Sequence, residues 1–454
     1  MRNFDLVIIG SGSGLNVANA TAQHGMKVAV IEKGKVSGTC LNRGCIPSKL
    51  LIHSADIAEI IKRAELFGIK VDKFSIDFES MVTRVIRIID DESDGIKNAF
   101  AEIDNPKLYQ NECRFIGKKT ISVGDETISA NKILIASGTR PAIPKIKGLD
   151  ESGYITSDEA LRLQKQPCTL TIIGGGFIAA ELGHFFGALG TEINIIEWGN
   201  FLLKHEDIDI SKKFTSVFSK KYSVHLGYNT ESVDKKENGI FHVTAKNSAG
   251  KRLDLDSDQL LIATGRTPNS DTLAFEETGV KIDKKGFIIV DDYLETNVEG
   301  IFALGDAVGH YMLKHSANME AQYAFNNIMH SHKVPVDYTA MPHANFSSPH
   351  VAGVGHTEQE LKKKGIPYEK AVYNYIDTSM GQAIEDRDGF VKFLVSNDGK
   401  ILGCHILGSH ASILIHEVLV IMKAGDGNIG SLEKTVHIHP ALSEVVARAA
   451  HAVE

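Results

Sequence analysis

Cysteine is scarce in this chain, with five among 454 residues. An odd, thinly spread set of thiols does not build a disulfide framework, so any close pair among them is a candidate for chemistry. Long apolar runs are also missing: none approaches the roughly 20 residues that a membrane-spanning helix needs. No block of basic residues accompanies the formal net charge of -8, which argues against nucleic acid or an anionic membrane surface as a partner. The opening Met1-Arg2-Asn3-Phe4-Asp5-Leu6-Val7-Ile8-Ile9-Gly10 has only a short apolar core before its glycines. It reads as a buried strand rather than a signal peptide, and a cytoplasmic protein is expected. What remains is a globular composition, 43% hydrophobic and 23% charged, in a chain about three times the size of an ordinary domain. Two to four domains should result, with no low-complexity segment and no short-period repeat beyond one doubled unit.

That doubled unit is a strand, a glycine turn, a helix and a second strand ending in an acid. In its first copy Phe4 to Ile9 is the strand, Gly10-Ser11-Gly12-Ser13-Gly14 the turn, Leu15 to His24 the helix, and Lys27 to Ile31 the strand that ends at Glu32. Gly10, Gly12 and Gly14 would let the backbone approach a pyrophosphate at a helix N-terminus, while Glu32 accepts from a ribose hydroxyl. Leu15 stands where a third glycine is usual, with Gly14 one place early. In the second copy Leu170 to Ile173 leads into Gly174-Gly175-Gly176, a helix from Phe177 to Leu189, and a strand ending at Glu197. A carboxylate there accepts from a ribose 2′-OH and repels a 2′-phosphate, which favours NADH over NADPH. Two further runs, Lys132 to Pro141 with Ser137-Gly138 and Gln259 to Asn269 with Gly265, pair a buried strand with a small-residue turn where each nucleotide-binding segment closes. The strand Gly300 to Leu304 ends in Gly305-Asp306, so Asp306 is placed to hold a ribityl or phosphate group.

The close cysteine pair lies in Gly38-Thr39-Cys40-Leu41-Asn42-Arg43-Gly44-Cys45-Ile46-Pro47-Ser48-Lys49. A zinc site would need a second ligand pair, and Cys113, Cys168 and Cys404 are isolated, so no metal is expected. A structural staple closing so short a loop would remove little unfolded-state entropy. Reversible redox chemistry remains. A helix predicted to begin near Pro47 would favour a thiolate through its dipole, and Lys49 adds positive charge.

This segment resembles the redox motif of the class I pyridine nucleotide-disulfide oxidoreductases, and the similarity extends from the first strand to the C-terminus. The resemblance implies an α/β fold with two nucleotide-binding Rossmann-like domains and a C-terminal α+β dimerisation domain. It implies an FAD-binding domain at 1–148 and 267–338, an NAD(P)-binding domain at 149–266 and a dimerisation domain at 339–454. The cofactors would be FAD and NAD, with NADP the weaker expectation. Gly38, Thr39, Ser137, Gly138 and Asp306 would line the flavin nucleotide, and Gly174, Gly176, Glu197 and Gly265 the nicotinamide nucleotide. Cys45 would face the flavin and Cys40 would exchange with the substrate. Lys49 would pair with Glu181 near the flavin. In Val436-His437-Ile438-His439-Pro440-Ala441-Leu442-Ser443-Glu444, His439 would be the base and Glu444 its orienter, reaching the cysteines of the other subunit of a homodimer.

The substrate would be a small disulfide or dithiol, or a lipoyl group on a carrier protein. Glu197 resembles the dihydrolipoyl dehydrogenase pattern and makes that activity the first expectation. Gly176-Phe177-Ile178-Ala179-Ala180-Glu181 and Leu313-Lys314-His315-Ser316-Ala317-Asn318 look like mycothione reductase, making a low-molecular-weight disulfide reductase the alternative.

Overall fold

The computed structural model describes residues 1–453. The chain divides into two compact units, the first formed by Met1–Leu50, Ser80–Ala142 and Gly265–Asp337, the second by Leu51–Glu79, Ile143–Thr264 and Tyr338–Glu454.

The first unit is organised by a seven-stranded sheet in the order Lys107–Tyr109, Val28–Ile31, Arg2–Ile9, Glu126–Ile135, Thr120–Val123, Cys113–Gly117, with Ile301–Ala303 also paired to Glu126–Ile135. Arg2–Ile9 runs parallel to both its neighbours. Its apolar residues are buried, Leu6, Val7 and Ile8 completely, as expected of a parallel strand covered on both faces. Each such side chain contributes about 2 kcal/mol of apolar burial. Strand Ile301–Ala303 adds in parallel at Ile133 to Ile135, which brings Asp306, some 170 residues distant in sequence, to the strand end that also carries Ser137 and Gly138.

The second unit contains three sheets. Four parallel strands run in the order Ser223–Leu226, Glu192–Glu197, Thr169–Ile173, Gln259–Ile262. Three antiparallel strands, Tyr228–Lys235, Phe241–Asn247 and Arg252–Ser257, form a second sheet. The third is antiparallel throughout, in the order Pro342–Asn345, Val351–Gly355, Ile401–Leu407, Phe390–Val395, Glu369–Asn374. Helices Ala411–Lys423 and Glu444–His451 pack Leu414, Ile415, Val445 and Ala449 into the core of this last sheet. The mixed α/β architecture, with Rossmann-like parallel sheets and a C-terminal antiparallel domain, is the fold class anticipated. Among the described residues no helix is long and apolar enough to cross a membrane.

Element ends shifted where local chemistry competed. The helix anticipated near Pro47 begins at Cys45, because proline within the first turn removes only an amide that has no intrahelical acceptor. A short helix, Gly38–Arg43, precedes it.

Candidate active site

The two glycine cradles are built alike, each within its own unit. Strands Arg2–Ile9 and Val28–Ile31 end in register, Ile9 opposite Ile31, and Gly10 N–H donates to the Ile31 carbonyl at 2.8 Å. In the second unit Ile173 lies opposite Ile196 and Gly174 N–H donates to Ile196 at 2.9 Å. The chain then turns so tightly that a Cβ on Gly10 would lie 2.2 Å from the Ala136 carbonyl oxygen and one on Gly174 2.3 Å from that of Ala263. Both glycines have positive φ, +103° and +115°, a conformation that side chains oppose. Gly14 performs the task of the usual third glycine from one place early. Its missing Cβ would fall 2.8 Å from Ile8 Cγ2, so it lets helix Gly14–Gln23 rest on the strand.

The strand-end acids are held by matching hydrogen bonds. Glu32 Oε2 accepts from Ser11 N–H and Oγ at 3.0 and 2.6 Å, and its Oε1 from Gly34 N–H at 2.8 Å. Glu197 Oε1 accepts from Gly199 N–H at 2.7 Å. Glu197 is 4% exposed, and a Cβ on Gly175 would stand 2.9 Å from its Oε2. Beside the first cradle, Asp306 Oδ2 accepts from Thr139 Oγ1 at 2.8 Å, and Arg266 donates to that same hydroxyl at 2.6 Å. Ser137 Oγ is buried without a hydrogen-bond partner, while Gly12 and Gly138 have no atom within 4 Å of a would-be Cβ. Open glycine backbone and an orphaned buried hydroxyl beside a strand-end acid suit a bound dinucleotide. Gly265 has a φ of +124° and open space around it, and its carbonyl accepts from Ala142 N–H.

The cysteine turn is packed onto the first cradle. A Cβ on Gly38 would lie 2.9 Å from Gly12 Cα, and one on Gly44 2.9 Å from the Thr39 carbonyl. Asn42 ties the turn down, its Nδ2 donating to Val36 and Gly38 carbonyls at 2.8 and 2.9 Å. Cys40 sits in helix Gly38–Arg43 and Cys45 opens helix Cys45–Arg63; both are thiols. The Cys40 thiol is hydrogen-bonded by the Cys45 side chain, which together with burial pushes its pKa up, while the charge of Lys314 and the Cys45 backbone N–H oppose that rise. Lys49, four residues after Cys45 on the same helix, donates from Nζ to Ser48 Oγ at 3.3 Å.

Glu181, 9% exposed, accepts at Oε1 from Phe346 N–H at 3.0 Å. His439 Nδ1 and Glu444 Oε1 are 3.0 Å apart. That imidazole holds the Glu444 carboxyl below the ordinary range. His439 is 69% exposed at its side chain, between outward-facing Val436 and Ile438 on the preceding segment and the helix Glu444–His451. His437 instead engages Glu417, Nε2 to Oε2 at 3.0 Å.

Sequence reasoning gave no role to Lys314, Thr139 or Arg266. Nothing local distinguishes Lys314, a lysine opening a helix, from a solvated one.

The assembled features match known proteins along the whole chain. The family model for pyridine nucleotide-disulphide oxidoreductase matches residues 4–321 and that for its dimerisation domain residues 341–450. Mycothione reductase of Mycobacterium tuberculosis is 34% identical over 465 residues, covering 99% of both chains. The mitochondrial dihydrolipoyl dehydrogenase of Dictyostelium discoideum is 36% identical over 459 residues, covering 98% of this chain and 93% of that protein. Among solved structures, the HOCl-induced flavoprotein disulfide reductase RclA from Escherichia coli superposes with a TM-score of 0.88 at 26% identity, covering 99% and 100% of the two chains.

Proposed function

Since the chain belongs to the class I pyridine nucleotide-disulphide oxidoreductases, FAD-dependent enzymes with a redox-active disulfide, we propose that it is a dihydrolipoyl dehydrogenase using NAD. The observation that carries the cofactor choice is the buried Glu197 carboxylate, fixed by Gly199 beside the glycine turn, where it favours a free 2′-hydroxyl and repels a phosphate. In this reading residues 1–148 and 267–338 bind FAD, 149–266 bind the nicotinamide nucleotide and 339–454 dimerise.

Bound flavin supplies the conversion between nicotinamide hydride chemistry and thiol–disulfide chemistry. Gly10, Gly12, Gly14, Glu32 and Asp306 hold its nucleotide and ribityl portions, with Gly38, Thr39, Ser137 and Gly138 lining them. Gly174, Gly176 and Gly265 do the same for NAD. Cys45 is the thiolate facing the ring and Cys40 the one that attacks substrate sulfur. Lys49 supplies a positive charge on the helix that Cys45 opens, and Glu181 a carboxylate on the helix that follows the second glycine turn. His439 takes the proton from a substrate thiol at Nε2 and returns it, while Glu444 at Nδ1 fixes the tautomer and stabilises the charged imidazole. The dimerisation domain implies a homodimer, and His439 serves the cysteines of the other subunit. We place the enzyme in the cytoplasm.

A low-molecular-weight disulfide reductase is the second reading, favoured by Lys314 and Asn318 beside the first cradle in a segment that resembles mycothione reductase. Steady-state assays decide between them: NAD reduction by dihydrolipoamide against NADH- and NADPH-driven reduction of mycothione disulfide and glutathione disulfide. Turnover with a small disulfide and none with dihydrolipoamide would reject the first reading.

A further inference from the structure

Strand Glu192–Glu197 stays buried through its final acid, yet the next residue, Trp198, is 64% exposed. It is the only tryptophan in the chain. A single exposed apolar residue means little by itself, but this one is fixed at the second glycine turn. Gly199 N–H donates to Glu197 Oε1 at 2.7 Å and the Gly199 carbonyl accepts from Gly227 N–H at 3.0 Å, so the chain folds back directly after the indole. Five residues on, Leu203 N–H donates to the Gly175 carbonyl at 2.8 Å, and a Cβ on Gly175 would lie 2.7 Å from Leu202 Cδ2. The segment thus arches from the strand-end acid onto the middle of the glycine turn. Leu202 and Leu203 are buried within it, while Lys204 reaches back with Nζ 4.0 Å from the centroid of the Trp198 ring. One face of the indole therefore carries a cation, and a ring so covered that is still 64% exposed has its other face open.

We propose that Trp198 is the adenine platform of the nicotinamide nucleotide site, stacking its open face on the base while Lys204 steadies the other. The inference rests on the reading of Gly174, Gly176 and Glu197 as that site. In a dinucleotide cradle of this kind the strand-end acid takes the ribose 2′-hydroxyl. The base is attached to the neighbouring ribose carbon, so it comes to lie against the residue that follows the acid. Here that residue is an indole. Stacking needs only the π-face that every base presents, and one aromatic side chain beneath a base changes affinity by about tenfold or more. Glu197 would then read the sugar and Trp198 the base, two adjacent residues dividing one nucleoside between them.

The test uses the full-length, oxidised, flavin-loaded enzyme, so that only the second cradle is open, and ADP-ribose as the probe. With one tryptophan in the chain, its fluorescence reports on this position alone. ADP-ribose should quench that fluorescence along the same saturation curve that titration calorimetry gives for its binding. Trp198→Leu should weaken ADP-ribose binding about tenfold, and Trp198→Phe should recover most of the loss. Flavin reduction by reduced nicotinamide mononucleotide, which has no adenine, should proceed in Trp198→Leu as in the wild type. ADP-ribose that binds without moving the fluorescence would overturn the proposal, as would unchanged affinity in Trp198→Leu. A parallel loss of the mononucleotide reaction would also overturn it, since the indole would then support the structure of the site rather than the base. Should Trp198→Leu fail to fold, the wild-type fluorescence still decides. No binding of ADP-ribose at all would remove the nucleotide site and the proposal with it, whereas binding with unmoved fluorescence would remove only Trp198.

Discussion

Replacing Lys392 by methionine should cost the second unit a large part of its stability without touching the cysteines. Lys392 is completely buried, with Nζ 2.7 Å from Asp207 Oδ1, 2.6 Å from Asp209 Oδ2 and 2.5 Å from Glu358 Oε2. The three carboxylates are close enough together to ligate a cation, and the ammonium fills that place. Asp207 also caps helix Ile208–Lys221, its Oδ1 accepting from Asp209 N–H at 3.0 Å, and its Oδ2 accepts from Glu358 N–H at 2.9 Å. Methionine would keep much of the volume but leave Asp207, fully buried, and Glu358, 6% exposed at its side chain, without their central cation. Removing one partner of a buried pair costs about 3–5 kcal/mol. The lower end applies, because Asp209 is 36% exposed and Lys362 and Lys370 still reach Glu358 from the surface. At 2–4 °C per kcal/mol, melting of the second unit should fall by about 6–12 °C, measured by calorimetry. The pH dependence has a definite sign. Burial would raise the Asp207 and Glu358 carboxyls, but hydrogen bonds and nearby cations outweigh it and hold both below the ordinary range. Their stabilisation is therefore present above the unfolded carboxylate pKa, about 4, and lost as pH falls through the lower folded values. The deficit of Lys392→Met should be greatest at pH 7 and shrink towards pH 4. Equal melting at pH 7 would refute the reasoning, and a deficit independent of pH would assign the loss to packing alone. Asp207→Asn and Glu358→Gln added to Lys392→Met should recover part of the loss, since a neutral cluster no longer buries unpaired charge.

Further outcomes follow from the site. Cys45→Ser should abolish the long-wavelength absorbance of the two-electron-reduced enzyme and cut dithionite uptake from four electrons to two; an unchanged spectrum would move the flavin-facing role to another residue. Glu197→Gln, chosen because the side chain is buried between Gly175 and Gly199, should raise the NADPH to NADH ratio of kcat/KM about tenfold, and an unaltered ratio would show that this carboxylate does not read the ribose. Gly10→Ala should yield protein with little bound flavin, because the new methyl would fall 2.2 Å from the Ala136 carbonyl oxygen; full flavin occupancy would contradict the close approach. Glu444→Gln should leave iodoacetamide labelling of Cys40 and the melting temperature unchanged while slowing turnover about 10–100-fold, and wild-type turnover would remove Glu444 as the partner of His439.

The cradles were readable because their determinants are local. Gly10 and Gly174 must turn immediately after a buried strand, and Glu32 and Glu197 must close the next one, so each constellation fits within some 25 residues. His439 and Glu444 are five residues apart and meet across one turn. The cysteine turn was equally local, although its own helix, Gly38–Arg43, was missed because glycine and threonine at its start signal a loop. Lys314 on Ser13, Arg266 on Thr139 and Lys392 on Asp207 carried no such signal. Each joins residues at least 120 positions apart, and an isolated lysine or arginine looks the same whether its partner is water or a buried acid.

The order of residues thus determined the two glycine turns with their strand-end acids and the close spacing of Cys40 and Cys45, since short spacings and backbone conformation encode both. Tertiary structure alone decided which charges stand beside those groups. Strand Ile301–Ala303 carries Asp306 to its place, helix Lys314–Met329 brings a cation to the first cradle, and the antiparallel sheet seats Lys392 among three carboxylates. Electrostatic strength depends on distance and burial, and neither quantity exists until the chain has folded.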